Sequence, residues 1–372
     1  MQSVRRHYQP GGPSQARLRG PLLPCRAMAV LRPPKVPVGI ALALAAVAGM
    51  SSAAGAAVVS VRAKVETRPV PHAGDAADDV AIWVSSRRPS RSTIIGTDKQ
   101  GGIGVYGLDG RQVQFRRDGR INNVDLRRGF RLGGRRVTLV TASNRTNDSI
   151  AVYRVVPRTR KLARVRARIR VGMDVYGLCM YRGPRTGPFY VFVTSQSGEV
   201  QQWRLSGRGR EVSARRVRSF DVGSQAEGCV ADDRLRRLYV AEESRGIWRY
   251  RAGPAGGERR KLVDRTGRSR LAADVEGLAI AKRGRRGYLV ASSQGNHTFV
   301  LYRRKSNAFV KRFRVVAGKR IDAVHDTDGI DVTTASLGRR FRRGVFVAQD
   351  GNNGRPPNQN FKLVSWRAIA RR

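Results

Sequence analysis

The chain has 372 residues, in which 73 lysines and arginines stand against 27 aspartates and glutamates, for a formal net charge of +46. Such an excess attracts polyanions over long range. The bases are dispersed along the sequence with no RNA- or DNA-binding motif and no interleaved aromatics, which excludes a nucleic-acid-binding module and leaves two readings, a functional attraction or a solvated arginine-rich surface.

Residues 1–27 carry five Arg, three Gly, four Pro and no acid, lack apolar periodicity, and read as a disordered basic extension. From Met28 the composition changes. Arg32 and Lys35 precede an apolar run from Val36 to Met50 and a small-residue stretch, Ser51 to Ala57. Basic, apolar and small-residue regions in that order make residues 28–57 a secretory signal peptide; the apolar run is short for a membrane anchor, the other reading. On this reading Met28 is the start, residues 1–27 are an annotation extension, and the protein is secreted.

From Val58 to Val65, apolar and polar residues alternate as in a strand that belongs to none of the repeats that follow. Those repeats are organised around a short phrase, an acid (more loosely an amide or a tyrosine) next to a glycine or an apolar residue at the start of an apolar run. Its copies begin at Asp79, Asn123, Tyr176, Glu227, Glu276 and Asp328, spaced by 44, 53, 51, 49 and 52 residues. A period of roughly 50 signals a propeller or a related repeat architecture. Each phrase is followed by a β-rich run, a polar tip and a second apolar run, which is a hairpin pattern; Ile94 to Lys99 leading into Ile103 to Tyr106 is one example. The last repeat offers only three strand-like runs, and the strand near Val58 is expected to complete it. The fold expected is therefore all-β, a six-bladed β-propeller closed by an N-terminal strand, forming one domain over residues 58–372.

In such a disc the phrase that opens each blade and the tip of its following hairpin emerge at the same end of the channel. Collected there are Asp78, Asp79, Tyr176, Glu227, Glu276 and Asp328 with Lys99, Arg145, Gln196, Glu243, Gln294 and Asp350. Crowded carboxylates either bind cations or shift their pKa, and all-oxygen ligands favour Ca²⁺ or Mg²⁺ over zinc. No His or Cys occupies these tip positions, which argues against a transition metal; the plain alternative is that the acids cap loops and pair with arginine. Cys25 precedes the expected leader. Cys179 and Cys229 lie in neighbouring repeats on opposite strand faces, and either a disulfide or two buried thiols is consistent with that placement.

Several phrases, taken together and in order, strongly resemble the β-propeller phytases. They include Asp75 to Trp83, Asn122 to Asp125, Ala142 to Arg145, Val175 to Gly177, Ala226 to Gly228, Ala241 to Glu243, Asp274 to Gly277, Ser292 to Asn296, Asp326 to Asp331 and Asn358 to Lys362. The resemblance runs from about Glu66 to the C-terminus. It implies several bound Ca²⁺ ions and hydrolysis of phosphate monoesters from myo-inositol hexakisphosphate presented as its calcium salt. Carried over by motif, Lys99, Arg145 and Tyr176 would hold the phosphate being cleaved, with Glu227, Glu276 and Asp328 at the cleavage site. Calcium ligands would come from Glu66, Asp78, Asp79, the carbonyls of Val80 and Val124, Glu227, Glu243, Glu276, Gln294 and Asp322.

The sequence departs from the family pattern where a second phosphate should dock. Gln100 follows Lys99 where the family has lysine, and Gln196-Ser197 replaces a Lys-Glu pair. The expected partner is a small-molecule polyanion, phytate as its calcium complex, with no nucleic acid, no stable membrane association and a monomeric state. Two other readings are a non-catalytic calcium-dependent propeller that binds polyanions, and a propeller hydrolase acting on another phosphoester or a lactone.

Overall fold

The computed structural model describes residues 57–184, 187–267, 270–354 and 357–371. The expected basic extension, and all but the last residue of the expected signal peptide, lie outside these described residues. The described chain opens with β1 (Val58–Val61) and β2 (Ala63–Glu66). Six sheets follow. Blade 1 comprises β3 (Ala77–Trp83), β4 (Thr93–Asp98), β5 (Gly102–Gly107) and β6 (Gln112–Arg116); blade 2 comprises β7 (Ile121–Leu132), β8 (Arg135–Asn144), β9 (Ser149–Val156) and β10 (Lys161–Arg164). The two-residue β11 (Arg166–Ala167) then pairs in parallel with the last strand of blade 3, which is built from β12 (Leu178–Arg182), β13 (Phe189–Thr194), β14 (Glu199–Arg208) and β15 (Glu211–Asp221). Blade 4 is β16 (Ala226–Asp232), β17 (Arg237–Glu242), β18 (Gly246–Arg251) and β19 (Lys261–Arg265); blade 5 is β20 (Val275–Arg283), β21 (Arg286–Ser293), β22 (Thr298–Arg303) and β23 (Phe309–Val315). Blade 6 has β24 (Ile330–Thr333), β25 (Val345–Asp350) and β26 (Asn360–Ser365), followed by the one-turn helix α1 (Trp366–Ala370).

Within each blade consecutive strands pair antiparallel, and the six first strands β3, β7, β12, β16, β20 and β24 touch their neighbours in a closed ring. The molecule is a six-bladed β-propeller. The single N-terminal strand expected from the sequence is split at Arg62, and its halves serve different blades. β1 runs parallel to β23 in blade 5, whereas β2 lies antiparallel to β26 as the outer strand of blade 6. The break allows the chain to cross between blades, and Arg62 Nε, turned out of the ladder, donates to Ala317 O at 3.2 Å. Among the described residues no helix is long and apolar enough to cross a membrane.

The blades have few solvent-facing surfaces because each packs its apolar side chains against the next. Phe299, Phe313 and Phe346 meet between blades 5 and 6, with Trp366 and Ile369 of α1 sealing their outer edge. Between blades 3 and 4, Cys179 of β12 and Cys229 of β16 form a disulfide with Cα atoms 5.7 Å apart, which decides the question the sequence left open.

The inner ends of the blades explain the repeated phrase. In four blades the ladder between first and second strands breaks at the phrase, between Ala77 and Val80, Ile121 and Val124, Ala226 and Cys229, and Val275 and Leu278. Each break releases two residues from pairing, a β-bulge that re-aims their side chains toward the axis. The glycine of the phrase is needed because the next blade comes so close. A Cβ on Gly228 would lie 2.1 Å from the carbonyl oxygen of Glu276, and one on Gly277 would lie 2.5 Å from that of Asp328. Both positions face backbone, which cannot move aside as a flexible side chain would. Gly228→Ala is therefore expected to cost about 1–3 kcal/mol, as overpacking of a tight interior does. Gly253→Ala, where the added carbon meets nothing within 4 Å, is the matched control. Denaturant titration of both variants measures the difference, and equal midpoints would show that the inner ring can yield.

Candidate active site

Lys99 opens the β4–β5 turn and points into the channel mouth, where its ammonium lies 2.8 Å from Asp75, 3.2 Å from Asp78 and 3.0 Å from Asp328. Asp75 precedes blade 1, Asp78 is in its bulge, and Asp328 opens blade 6, so one cation holds three segments together. Asn122, from the bulge of blade 2, bridges blade 1 and blade 4. Its amide nitrogen donates to Glu227 Oε1 at 2.9 Å and Asp78 Oδ1 at 3.3 Å, while its oxygen accepts from Arg145 at 3.1 Å. The Arg145 guanidinium also lies over the Tyr176 ring, 5.5 Å from its centre, an arrangement that favours a cation over a π-face. Across the mouth, Gln294 donates to Asp328 Oδ1 at 2.7 Å, and Gln349 Oε1 accepts the Asp328 backbone N–H at 2.8 Å.

Glu227, Glu243 and Glu276 complete the mouth. All three are buried, and an oxygen from each lies within 4.8 Å of the others. Glu243 Oε1 and Glu276 Oε2 are buried without a hydrogen-bond partner. Orphaned acceptors on crowded carboxylates are costly unless a cation fills the gap between them. With oxygen donors only, the cluster fits a hard divalent ion such as Ca²⁺.

The titration behaviour has the same origin. Burial, then the charge of Asp328, pushes Glu227 up to about 7. Burial likewise raises Glu243 to about 7 even though Gln225 opposes the shift, with the charges of Asp274 and Asp328 adding to it. Asp328 is raised to about 7 by burial and by Asp78, against the pull of Lys99. Glu276 and Asp78 are raised well above the carboxylate range, first by burial and then by Glu227. Burial alone would depress Lys99, but Asp78, Asp328 and Glu227 outweigh it and raise its pKa. Burial and the charges of Glu227, Glu276 and Glu243 raise Tyr176 as well, so its phenol stays protonated and able to donate.

The other sequence-derived ligands lie elsewhere. Asp79 turns toward blade 2, where its Oδ2 accepts the Val124 N–H at 3.0 Å, which places Asp79, Val80 and Val124 together at the junction of blades 1 and 2. Glu66 and Asp322 belong to a second network. Asn360 donates to Glu66 at 3.3 Å, and the wholly buried Lys362 ammonium bridges Asp322 and Asp350. Among the described residues, the contacts of Glu66 and Asp322 do not include Lys99 or the three glutamates. Asp322 thus already answers to a cation of the chain itself.

Other residues at or near the mouth were not singled out from the sequence. Asn122 and Asp75 are two, the first because an amide in a series of acids looks like a loss rather than a bridge. The expectation that no histidine stands at the tips is corrected, because His297 closes the β21–β22 turn begun by Gln294, and its ring meets that of His325 edge-on with centres 5.1 Å apart. Gln100 turns its amide to the chain, donating to Ala73 O at 2.9 Å and Asp75 O at 3.1 Å, and so fastens the loop that presents Asp75 to Lys99. Gln196 is exposed.

A family model described as Phytase matches residues 35–372. A 3-phytase of Bacillus subtilis (strain 168) is 44% identical over 323 residues, which cover 83% of this chain and 84% of that protein. Among solved structures, the β-propeller domain of Myceliophteria thermophila Cps50 (Swd1) aligns at 12% identity over 78% of this chain and 83% of that one, with a TM-score of 0.42.

The raised carboxylates give the cation-free protein a definite pH dependence. Glu243 moves from 4.5 when solvated to about 7 when folded, so the folded state binds the extra proton more tightly. That contribution is complete below 4.5 and lost as pH rises through about 7, and Glu227 acts in the same sense. In EGTA the melting temperature is expected to fall between about pH 5 and pH 8, and excess Ca²⁺ should reverse the fall. Calorimetry across that range measures it; a flat profile in EGTA, unmoved by Ca²⁺, would contradict the cation reading of the cluster.

Proposed function

The chain belongs to the phytase family, and on that premise we propose that it is a secreted, calcium-dependent phytase that takes phytate as its calcium salt. The family makes it a phosphoric monoester hydrolase. The observation that supports the finer reading is the pairing, in one channel mouth, of three cation-ready glutamates with the phosphate-seeking donors Lys99, Arg145 and Tyr176. Export rests on the leader-like composition of residues 28–57 and is compatible with the Cys179–Cys229 disulfide.

An acidic cup repels a phosphate dianion, so the substrate needs positive charge from both the chain and the medium. Glu227, Glu243 and Glu276 would hold calcium, with Asp78 and Asp328 beside them. When bound, calcium would neutralise the cup and make a water molecule more acidic. The chain's own residues do the rest. Lys99 lies between Asp78 and Asp328, and its ammonium donates to phosphoryl oxygens and offsets the charge gathering on them during transfer. Arg145 is oriented by Asn122 and backed by the Tyr176 ring, which fixes a planar fork suited to two phosphate oxygens. The protonated Tyr176 phenol supplies a further donor. Asp328, held by Gln294 and the backbone bond to Gln349, accepts a proton from the attacking water. The water oxygen bonds to phosphorus as the ester oxygen leaves and takes up a proton, giving an alcohol and inorganic phosphate. No nucleophilic side chain is required.

Phosphate release from calcium phytate, lost in EGTA and restored by Ca²⁺, tests this reading, and absence of release under both conditions would sink it. Asp328→Asn should lower kcat by about 10²-fold or more. Retention of near-full kcat would remove Asp328 from the reaction. Gln196→Lys should lower KM several-fold with little change in kcat, because a charge-assisted contact is about twice as strong as a neutral one and acts on binding away from the breaking bond. Steady-state kinetics at fixed free Ca²⁺ decides it, and an unchanged KM would mean that no second phosphate docks near Gln196.

A further inference from the structure

The end of the propeller opposite Lys99 carries the reverse charge. Strand connections alternate between the two ends of each blade, so the β3–β4 and β7–β8 connections leave the disc away from the turns that carry Lys99 and Arg145. Between blades 1 and 2 at that far end is a groove of about 870 Å³ with sixteen lining residues. Half of them are arginine and none is acidic, whereas arginine makes up 63 of the 372 residues of the chain. The local density thus exceeds what an arginine-rich composition supplies on its own.

Several of the chain's buried or half-buried arginines answer to its own carboxylates. Arg116, Arg127 and Arg304 are paired with Asp118, Asp125 and Asp232. Arg87, Arg88 and Arg91 stand exposed on the β3–β4 loop, opposite the exposed Arg135 and Arg136 of the β7–β8 hairpin, and none of them forms an ion pair with a described residue. The loop is held in place. Ser92 Oγ accepts the Ser85 N–H at 3.0 Å, and Ser85 Oγ accepts the Arg88 N–H at 3.3 Å. A second groove, of about 370 Å³, continues toward blade 3, shares Gly129 and Arg136 with the first, adds Arg131, Arg182 and Arg204, and also has no acidic lining residue.

From this geometry we infer that the far end of the propeller is a docking track for a linear polyphosphate-type chain, running across blades 1 to 3. Guanidinium forks match phosphate oxygens. Two connected grooves suit an extended ligand rather than a compact one. Recognition is confined to phosphate, because the nearby aromatics Trp83, Phe130 and Phe189 are buried at 3%, 4% and 8% exposure and offer no stacking surface for bases. The track is separate from the acidic mouth and does not depend on the hydrolytic reading.

The test is binding of the whole protein to immobilised long-chain inorganic polyphosphate across a salt series. One variant carries Arg87→Gln, Arg88→Gln, Arg135→Gln and Arg136→Gln. A charge-matched control carries Arg234→Gln, Arg259→Gln, Arg283→Gln and Arg285→Gln, four exposed arginines of blades 4 and 5. Unchanged melting curves establish that both fold, and the double variant Arg135→Gln/Arg136→Gln serves if the quadruple one does not. The groove set should lose about tenfold or more in affinity and show a shallower salt slope, while the control stays within about threefold of wild type. Tripolyphosphate should bind far more weakly than the long chain, and hydrolysis at the other end should be unaffected. Equal loss in both sets would assign the binding to diffuse charge, and tripolyphosphate matching the long chain would assign it to a compact ligand. Retained polyphosphate affinity with lost binding to phosphatidylglycerol vesicles would make the face a membrane contact. Each of these three results overturns the proposal.

Discussion

The site depends on how closely six strands can approach one axis. Where the glycine of one phrase rests against the carbonyl of the next blade's acid, neighbouring inner strands are separated by little more than backbone thickness. The same phrase carries the acid, so the geometry that closes the ring also crowds carboxylates into its mouth. Bulging at the phrase turns those side chains inward instead of leaving them in the ladder. Packing and electrostatics are thus coupled: a wider ring would relieve the repulsion but lose the inter-blade contacts that bury the core.

The crowding is only partly relieved by the protein itself. Lys99 serves three aspartates at once, and Asn122 supplies neutral bridges where another acid would add to the repulsion. Among the described residues no lysine or arginine forms an ion pair with the three glutamates, and their unpartnered oxygens could hold an ion. At Asp322 and Asp350 the chain uses the other solution, a buried lysine. One end of the disc is therefore an acidic cup whose glutamates could hold a metal ion, set in a strongly basic chain.

Much of this could be read from the sequence, and for a physical reason. Glu276-Gly277 is conspicuous because the same close approach demands both small size and an inward-facing acid, and its recurrence at Glu227-Gly228 and Asp328-Gly329, with looser copies in the other blades, leaves a period. Hairpins such as Ile94 to Tyr106 were legible because alternation and a polar tip are local properties. Asn122 was not, since its role depends on Arg145, Asp78 and Glu227 from other segments. The function of Gln100 was also hidden: beside Lys99 it looks like a missing charge, yet it fastens a backbone loop some 25 residues earlier, at Asp75. The split of the first strand at Arg62 depends on which blade each half can reach, information held near residues 312 and 362 rather than near residue 62. The clustering of arginines from the β3–β4 loop and the β7–β8 hairpin was likewise invisible in a chain where arginine is everywhere.

The two strands that begin the described chain find their partners near its end, β1 beside β23 and β2 beside β26. Blades 1 to 4 can zip from neighbouring hairpins as soon as they are made. The seam at blades 5 and 6 cannot, because its last strand is synthesised about 300 residues after its first, a long-range closure of the kind that slows folding. A growing chain of this design is therefore a strip of sheets with two open ends for most of its synthesis, and becomes a ring in one late event. The latch pairs β2 with β26, so removing either strand releases the same seam.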